Sequence, residues 1–373
     1  MKIVYLVKSL SSCGGVEIVT ATKASGLADI TDCSVWIVTC SDDSCSSVVP
    51  LSDKVHLIGI RNRNILPFPW NLTRIIPDLL YLRKSLRNIL NGIDPDIVIS
   101  TGSIEKWVVP IIHGRWSTIR EIHNTKYYRR KDARSFPAKV FARLTEFIDY
   151  TFIDKRFDRI VLLTEEDKSS NWKGSCNTCV IPNPVRFKSD TAAALDNKRI
   201  ISVGRLSYQK NYPSLLSAIR TVFLRYPEWK LDILGEGEER PMLESLVEHY
   251  SLQDNVYLRG YQENVRDWMM DSSMFVMTSR FEGFPLVMVE AMSCGLPVVT
   301  YSYPRGPKDI ITNDSDGFLV PEGDERSLAE RICQLIEDDQ GRKRMGGKAF
   351  ISSKKYDIPN IVHLWMDLFQ TLK

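Results

Sequence analysis

Two carboxylates, Glu282 and Glu290, stand eight positions apart in the run Ser279-Arg-Phe-Glu-Gly-Phe-Pro-Leu-Val-Met-Val-Glu-Ala-Met-Ser-Cys-Gly-Leu-Pro-Val-Val299. If the chain between them is helical, their backbones lie roughly 12 Å apart at 1.5 Å per residue. That exceeds the separation of about 5 to 9.5 Å at which two carboxyls share glycoside hydrolysis, and it suits the two polar ends of one long ligand. Pro285 fits a first helical position, so the amides of Phe284, Leu286 and Val287 would open a helix N-terminus able to hold a phosphate. A nucleotide sugar has that shape. The plainer reading makes Glu282 a helix cap and Glu290 a solvated helix residue.

Cations stand in a second stretch, Ser202-Val-Gly-Arg-Leu-Ser-Tyr-Gln-Lys-Asn211. Arg205 through its fork and Lys210 as a point charge could neutralise a leaving diphosphate without a metal; simple surface exposure would also account for both. Near the N-terminus, Gly14 and Gly15 in Ser12-Cys-Gly-Gly-Val-Glu17 let a backbone approach a ligand, or merely make a tight turn into a helix. His123, in Arg120-Glu-Ile-His-Asn124, ends an expected strand, where its side chain would point toward a ligand cleft or pack as a structural histidine.

These residues need a frame. Short β-branched runs alternate with helical stretches, which predicts an α/β fold with parallel strands and crossover helices. Strands are expected at Lys2–Val7, Val35–Thr39, Val55–Ile58, Ile97–Ser100, Val108–Ile112, Ile119–Ile122 and Arg159–Leu163. A second series follows at Ile200–Val203, Leu231–Leu234, Val256–Leu258, Met274–Thr278, Val298–Thr300 and Phe318–Val320. Between them Ile181-Pro-Asn-Pro-Val185 is stiffened by two prolines and disfavours helix. Residues 1–180 and 181–373 are therefore expected to form two doubly wound domains facing across a cleft, with ligands at the carboxyl ends of the strands. Ile361, Leu364, Trp365, Leu368 and Phe369 fall at helical spacing, which predicts a closing helix over about 359–373 that packs on its own domain or back on the N-terminal one.

Taken in order, Gly14-Gly15, His123-Asn124, Pro182-Asn183-Pro184, Gly204-Arg205 with Lys210, Leu234-Gly235-Glu236-Gly237, and Glu282 with Glu290 resemble the retaining nucleotide-sugar glycosyltransferases of family 4. The resemblance is strong from about 199 to 324 and thin before that. It implies a glycosyltransferase-B fold of two Rossmann-like domains, the N-terminal one for acceptor and the C-terminal one for donor. It also implies roles: Arg205 and Lys210 on the donor diphosphate, Glu282 on the sugar hydroxyls, Glu290 on the ribose, and Phe284 to Val287 on sugar and phosphate through backbone amides. His123 would meet the transferred sugar, Gly14 and Gly15 the ligand, and Arg259 with Tyr261 the base. Pro285, where many relatives carry glycine, removes one amide donor. A narrower similarity, in Tyr303-Pro-Arg-Gly-Pro-Lys-Asp-Ile-Ile311 and Asp316-Gly-Phe-Leu-Val320, points to enzymes of bacterial capsule, exopolysaccharide and O-antigen assembly. The implied reaction is transfer of a hexosyl or N-acetylhexosaminyl unit, from a UDP-sugar by preference, to a glycan acceptor carried on a lipid diphosphate.

Composition agrees with an ordinary soluble chain: 373 residues, 43% hydrophobic and 25% charged. No apolar run approaches the 18 or more residues of a membrane span, so the expected place is the cytoplasm. The net charge of +3 argues against a nucleic-acid partner. Between Arg115 and Arg143, nine basic residues face two acids, interleaved with Tyr127, Tyr128, Phe136 and Phe141; the alternatives are a docking surface for anionic lipid at the inner face of the membrane and a solvated helix face. Cys176 and Cys179 lack a second pair, and Asp94-Pro95-Asp96 reads as an entry turn, so neither a metal nor a resident cofactor is expected. Rival functions are a non-catalytic nucleotide-sugar-binding protein and a sugar-nucleotide epimerase of similar fold. A phosphorylase would need a pyridoxal lysine, and no residue stands out as one.

Overall fold

The structure, a computed structural model, describes the chain except residues 12–13, 41–46, 48, 61–71, 103, 125, 127–128, 130–134, 188 and 373, and except the side chains of 72–75. The chain divides into a first unit, Met1–Arg186 with Ile358–Lys373, and a second, Phe187–Asp357. The division therefore falls just past the proline-stiffened segment at 181–185, and the last helix belongs to the first unit.

The first unit is built on a parallel sheet of β1 (Lys2–Val7), β2 (Ser34–Thr39), β3 (Val55–Gly59), β4 (Ile97–Ser100), β5 (Ser117–Glu121), β6 (Arg159–Leu162) and β7 (Thr178–Val180), in the order β3-β2-β1-β4-β5-β6-β7. Its helices are α1 (Gly15–Ile30), α2 (Leu72–Ile93), α3 (Phe136–Ile148) and α4 (Glu165–Asn171). Strands covered on both faces are expected to be continuously apolar. Accordingly β1 is buried from Ile3 to Val7. One expectation fails. Val108–Ile112 is not a strand but part of two short 3-10 turns, Glu105–Trp107 and Val109–Ile111. Pro110 has no N–H to give a central ladder, and Val108, Val109 and Ile112 are buried in the core from these turns. The expected strand at 119–122 ends instead at Glu121, leaving His123 in the loop beyond it.

The second unit has a parallel sheet of β8 (Arg199–Val203), β9 (Lys230–Leu234), β10 (Val256–Gly260), β11 (Met274–Met277), β12 (Val298–Tyr301) and β13 (Gly317–Val320), ordered β10-β9-β8-β11-β12-β13. Its helices are α5 (Tyr212–Arg225), α6 (Arg240–His249), α7 (Val265–Met270), α8 (Leu286–Ser293), α9 (Pro307–Ile310), α10 (Glu325–Glu337) and α11 (Asp339–Ser353). Each of the six sheet positions follows a run legible as β-branched or apolar in the sequence.

The closing helix α12 (Ile358–Gln370) turns Ile361, Val362, Trp365, Leu368 and Phe369 inward, where they join the core formed by β1, β2, β4 and α1. The contact is close because α1 carries Gly26 there: a Cβ at that position would stand 2.5 Å from Ile358 Cγ2. Only glycine admits so near an approach of the two helices.

Candidate functional site

In each sheet the strand order reverses once, between β1 and β4 and between β8 and β11, and open parallel sheets bind ligands just beyond such a reversal. In the second unit the loops leaving β8 and β11 are tied together there. Arg280 N donates to Gln209 O at 2.8 Å, and Thr278 Oγ1 donates to the carbonyls of Lys210 and Asn211 at 3.2 and 3.0 Å. Asn211 turns the chain into α5 with a φ of 55°, and its Oδ1 accepts from Arg280 Nη2 at 2.7 Å.

On this scaffold Lys210 Nζ lies 2.7 Å from Glu282 Oε1. Ser279 Oγ donates to the same oxygen at 2.9 Å, while Gln209 Nε2 donates to Glu282 Oε2 at 3.1 Å and to Phe281 O at 2.8 Å. The carboxylate is thus aimed by three partners, yet Lys210 and Glu282 keep 15% and 13% of their side chains exposed, enough to be met from solvent. Tyr303 is buried close by; burial pushes its hydroxyl well above the usual range, and the Glu282 charge adds to this.

Helix α8 begins at Leu286, with Pro285 as its cap residue rather than its first helical position. Glu282 consequently lies in the loop, so the spacing of the two carboxylates does not follow from a continuous helix. Of the amides expected to face a phosphate, Leu286 N is committed to Phe284 O at 2.8 Å and proline contributes none. The amides of Phe284 and Val287 have no acceptor among the described residues. The Phe284 ring is packed edge-on against Tyr356, its centroid 5.7 Å away. Glu290 is buried in α8 rather than solvated, with 1% exposure.

The remaining expected site residues of the second unit are more dispersed. Arg205 is 76% exposed, and its guanidinium reaches Glu238 at 3.7 Å. Arg259 Nε donates to Asp232 Oδ1 at 2.6 Å, and the guanidinium stacks over Tyr257 and Trp268. Its neighbour Tyr261 is exposed beyond β10. Gly235, at φ +136°, keeps the β9–α6 loop against the Gly204–Arg205 backbone; a Cβ there would run into Gly204 O.

His123 lies in the first unit, in a cavity of about 220 Å³ beyond β1, β4 and β5, lined by Lys8, Thr101, Glu121, Arg129 and Asp149 among others. Gly14 caps α1 and accepts from Ile18 N, with Val16 and Glu17 on the cavity wall and Gly15 beside them. The imidazole Nε2 is 3.6 Å from Glu121 Oε2. Burial lowers the His123 pKa to about 4 against the opposing pull of Glu121, so the ring is neutral at ordinary pH. Sequence reasoning missed the groups around it. Lys23 of α1 and Glu121 form a buried ion pair, and Lys23 Nζ also lies over the Trp365 ring of α12. Asp149 gathers Lys106 at 2.6 Å, Trp107 Nε1 at 2.9 Å and Arg129 at 2.9 Å. Charged positions within apolar runs signal these groups individually, but their partners are distant in sequence.

Residues 186–350 match the model of the family described as glycosyl transferases group 1. The exopolysaccharide phosphotransferase of Streptomyces coelicolor is 28% identical over all of this chain, which spans only 41% of that protein. An uncharacterized glycosyltransferase of Haemophilus influenzae is 26% identical over 98% of each chain. A solved structure of Staphylococcus aureus TarM, a mutant in complex with Fondaparinux, alpha-GlcNAc-glycerol and UDP, superposes with a TM-score of 0.79 over 99% of both chains at 16% identity, a likeness of fold. Residues 186–350 thus match the glycosyl transferases group 1, within a chain whose two Rossmann-like parallel-sheet units have the glycosyltransferase-B fold.

Proposed function

We propose that the protein is a retaining, metal-independent glycosyltransferase that moves a hexosyl or N-acetylhexosaminyl unit from a UDP-sugar to a glycan acceptor, carried on a lipid diphosphate, in the building of a bacterial surface polysaccharide. The observation that carries the reading is the Lys210–Glu282 pair at the reversal point of the second sheet. An ammonium suited to a diphosphate and a carboxylate suited to sugar hydroxyls stand side by side there, at the entry to α8.

In this reading Lys210 holds the donor phosphates, assisted by Arg205 from the same loop and by the Phe284 and Val287 amides at the helix end. Glu282 exchanges Lys210 for sugar hydroxyls, Glu290 serves the ribose, and the Arg259–Tyr261 turn borders the base. His123, neutral, meets the transferred sugar, with Gly14 and Gly15 lining the approach. Fixed cations and amides that stabilise a departing diphosphate supply the main catalytic effect, and no resident cofactor is required. The UDP in the TarM structure and the exopolysaccharide context of the Streptomyces relative support the donor and the pathway class.

The test is release of UDP from a panel of UDP-sugars by the purified chain, with EDTA present and lipid-linked or free saccharide acceptors supplied. Acceptor-dependent release that EDTA leaves unchanged, with the donor's anomeric configuration kept in the product, is expected. Strict dependence on added manganese, or binding of UDP-sugars with no transfer to any acceptor, would contradict the proposal; the second result would favour a binding protein.

A further inference from the structure

Helix α3 is inverted. Most surface helices bury their apolar side and show water their polar side. Here the residues turned into the first unit are Ala142, Thr145 and Glu146, followed by Asp149, which binds Lys106 and Trp107. Those turned outward are Phe136, Val140, Leu144 and Phe147, each at least half exposed, with Phe136 at 79%. At 100° per residue these four fall within an arc of roughly 80°. Phe152, 54% exposed in the turn that follows, extends the row. Ser135 caps the helix by accepting from Ala138 N, so the face is presented by regular, anchored structure.

The charges around this row are sorted by sign. From 135 to 156 the basic residues Lys139, Arg143, Lys155 and Arg156 are all exposed, whereas the acidic residues Glu146, Asp149 and Asp154 are all buried. Lys139 and Arg143 lie along one edge of the apolar arc. A solvated helix face would not set phenylalanines outward, and a second copy of the same face would set cation against cation. Aromatic and aliphatic anchors on a segment that, from 135 to 156, exposes its bases and buries its acids are complementary to lipid tails beneath anionic headgroups.

We propose that α3 and the turn after it form a docking face for an anionic bilayer, on which the helix lies in the plane of the headgroups. No helix among the described residues is long and apolar enough to cross a membrane, and the proposed face engages only the bilayer surface. This face shares no residue with the Lys210–Glu282 pair, and docking can be read without turnover, so its failure and that of the transferase reading are separable.

The experiment is sedimentation of the full chain with vesicles of phosphatidylglycerol and phosphatidylcholine, against vesicles of phosphatidylcholine alone. Binding to the anionic vesicles at low salt is expected, falling steeply as salt rises. The double variant Phe136→Ser/Phe147→Ser and, separately, Lys139→Glu/Arg143→Glu should each weaken it about tenfold or more, with thermal unfolding unchanged because all four side chains are exposed. The proposal is overturned by absence of wild-type binding at low salt, by undiminished binding of a folded Phe136→Ser/Phe147→Ser variant, or by light scattering that shows a dimer dissolved by these substitutions without any vesicle binding.

Discussion

Lys210 Nζ sits 2.7 Å from Glu282 Oε1, joining the loops after two strands that are neighbours in the sheet but far apart in the chain. The pair bridges the two loops and keeps a cation and a carboxylate side by side beyond the strand ends. Each residue is therefore a structural partner of the other and, in the proposed reaction, a ligand group.

Lys210→Ala should lower transfer by about 10² to 10³-fold, the usual cost of losing one stabilising donor at developing charge. Glu282→Gln should lower it as well. Because the two touch, the losses should not add: a double-variant cycle on kcat/KM should show coupling on the order of 0.5 to 3 kcal/mol. Strict additivity would mean that the pair acts as two unrelated groups.

The Lys23–Glu121 ion pair is buried to within 2% exposure on both sides. Removing one partner strands a charge, so Lys23→Met should cost about 3 to 5 kcal/mol in chemical denaturation. Lys23→Met combined with Glu121→Leu should recover most of that loss. If the double variant is as unstable as the single one, volume and not charge governs the site.

Burial lowers the His123 pKa from 6.5 to about 4. As the pH falls through this window the unfolded chain takes up a proton that the folded chain refuses, so this residue's contribution to stability declines from pH 6.5 to 4. His123→Gln should flatten that part of the profile of unfolding midpoint against pH. An unchanged slope in the variant would assign the acid sensitivity to the carboxylates instead.

Gly235 combines a φ of +136° with direct contact against the Gly204 backbone. Gly235→Ala should destabilise the second unit by about 1 to 3 kcal/mol and raise the KM for donor, because the Arg205–Lys210 loop is displaced. Gly323→Ala, at φ +80° but with open space around it, should show the backbone cost alone and leave KM unchanged.

Most of the frame was legible because strands covered on both faces leave an unbroken apolar run, as at Ile3–Val7 and Met274–Met277. Thr178–Val180 escaped notice because a three-residue edge strand with a threonine and a cysteine has no period to read. Val108–Ile112 misled because its apolar content outweighed the proline that rules out a central strand. Amphipathicity showed that α12 packs but not on which unit, since a helical stripe carries no address. At the site, residue type and order brought out Lys210 and Glu282, whereas Gln209 and Ser279, which aim the carboxylate, are unremarkable in sequence. Lys23 and Glu121, 98 positions apart, become partners only through the sheet. Of the aromatics read in the basic stretch, Tyr127 and Tyr128 lie outside the described residues and Phe136 faces outward, whereas Phe141 is partly buried off the row, which runs instead through Val140, Leu144 and Phe147 to Phe152.

The measurement closest to the central claim is the thermal shift produced by UDP and UDP-sugars on the wild-type chain and on Lys210→Ala, since a ligand that binds the native state raises its unfolding midpoint. The account predicts a concentration-dependent rise for the wild type that largely disappears in the variant, with the ligand-free midpoints close together. Equal shifts in both proteins, or none in the wild type at saturating nucleotide sugar, would contradict it.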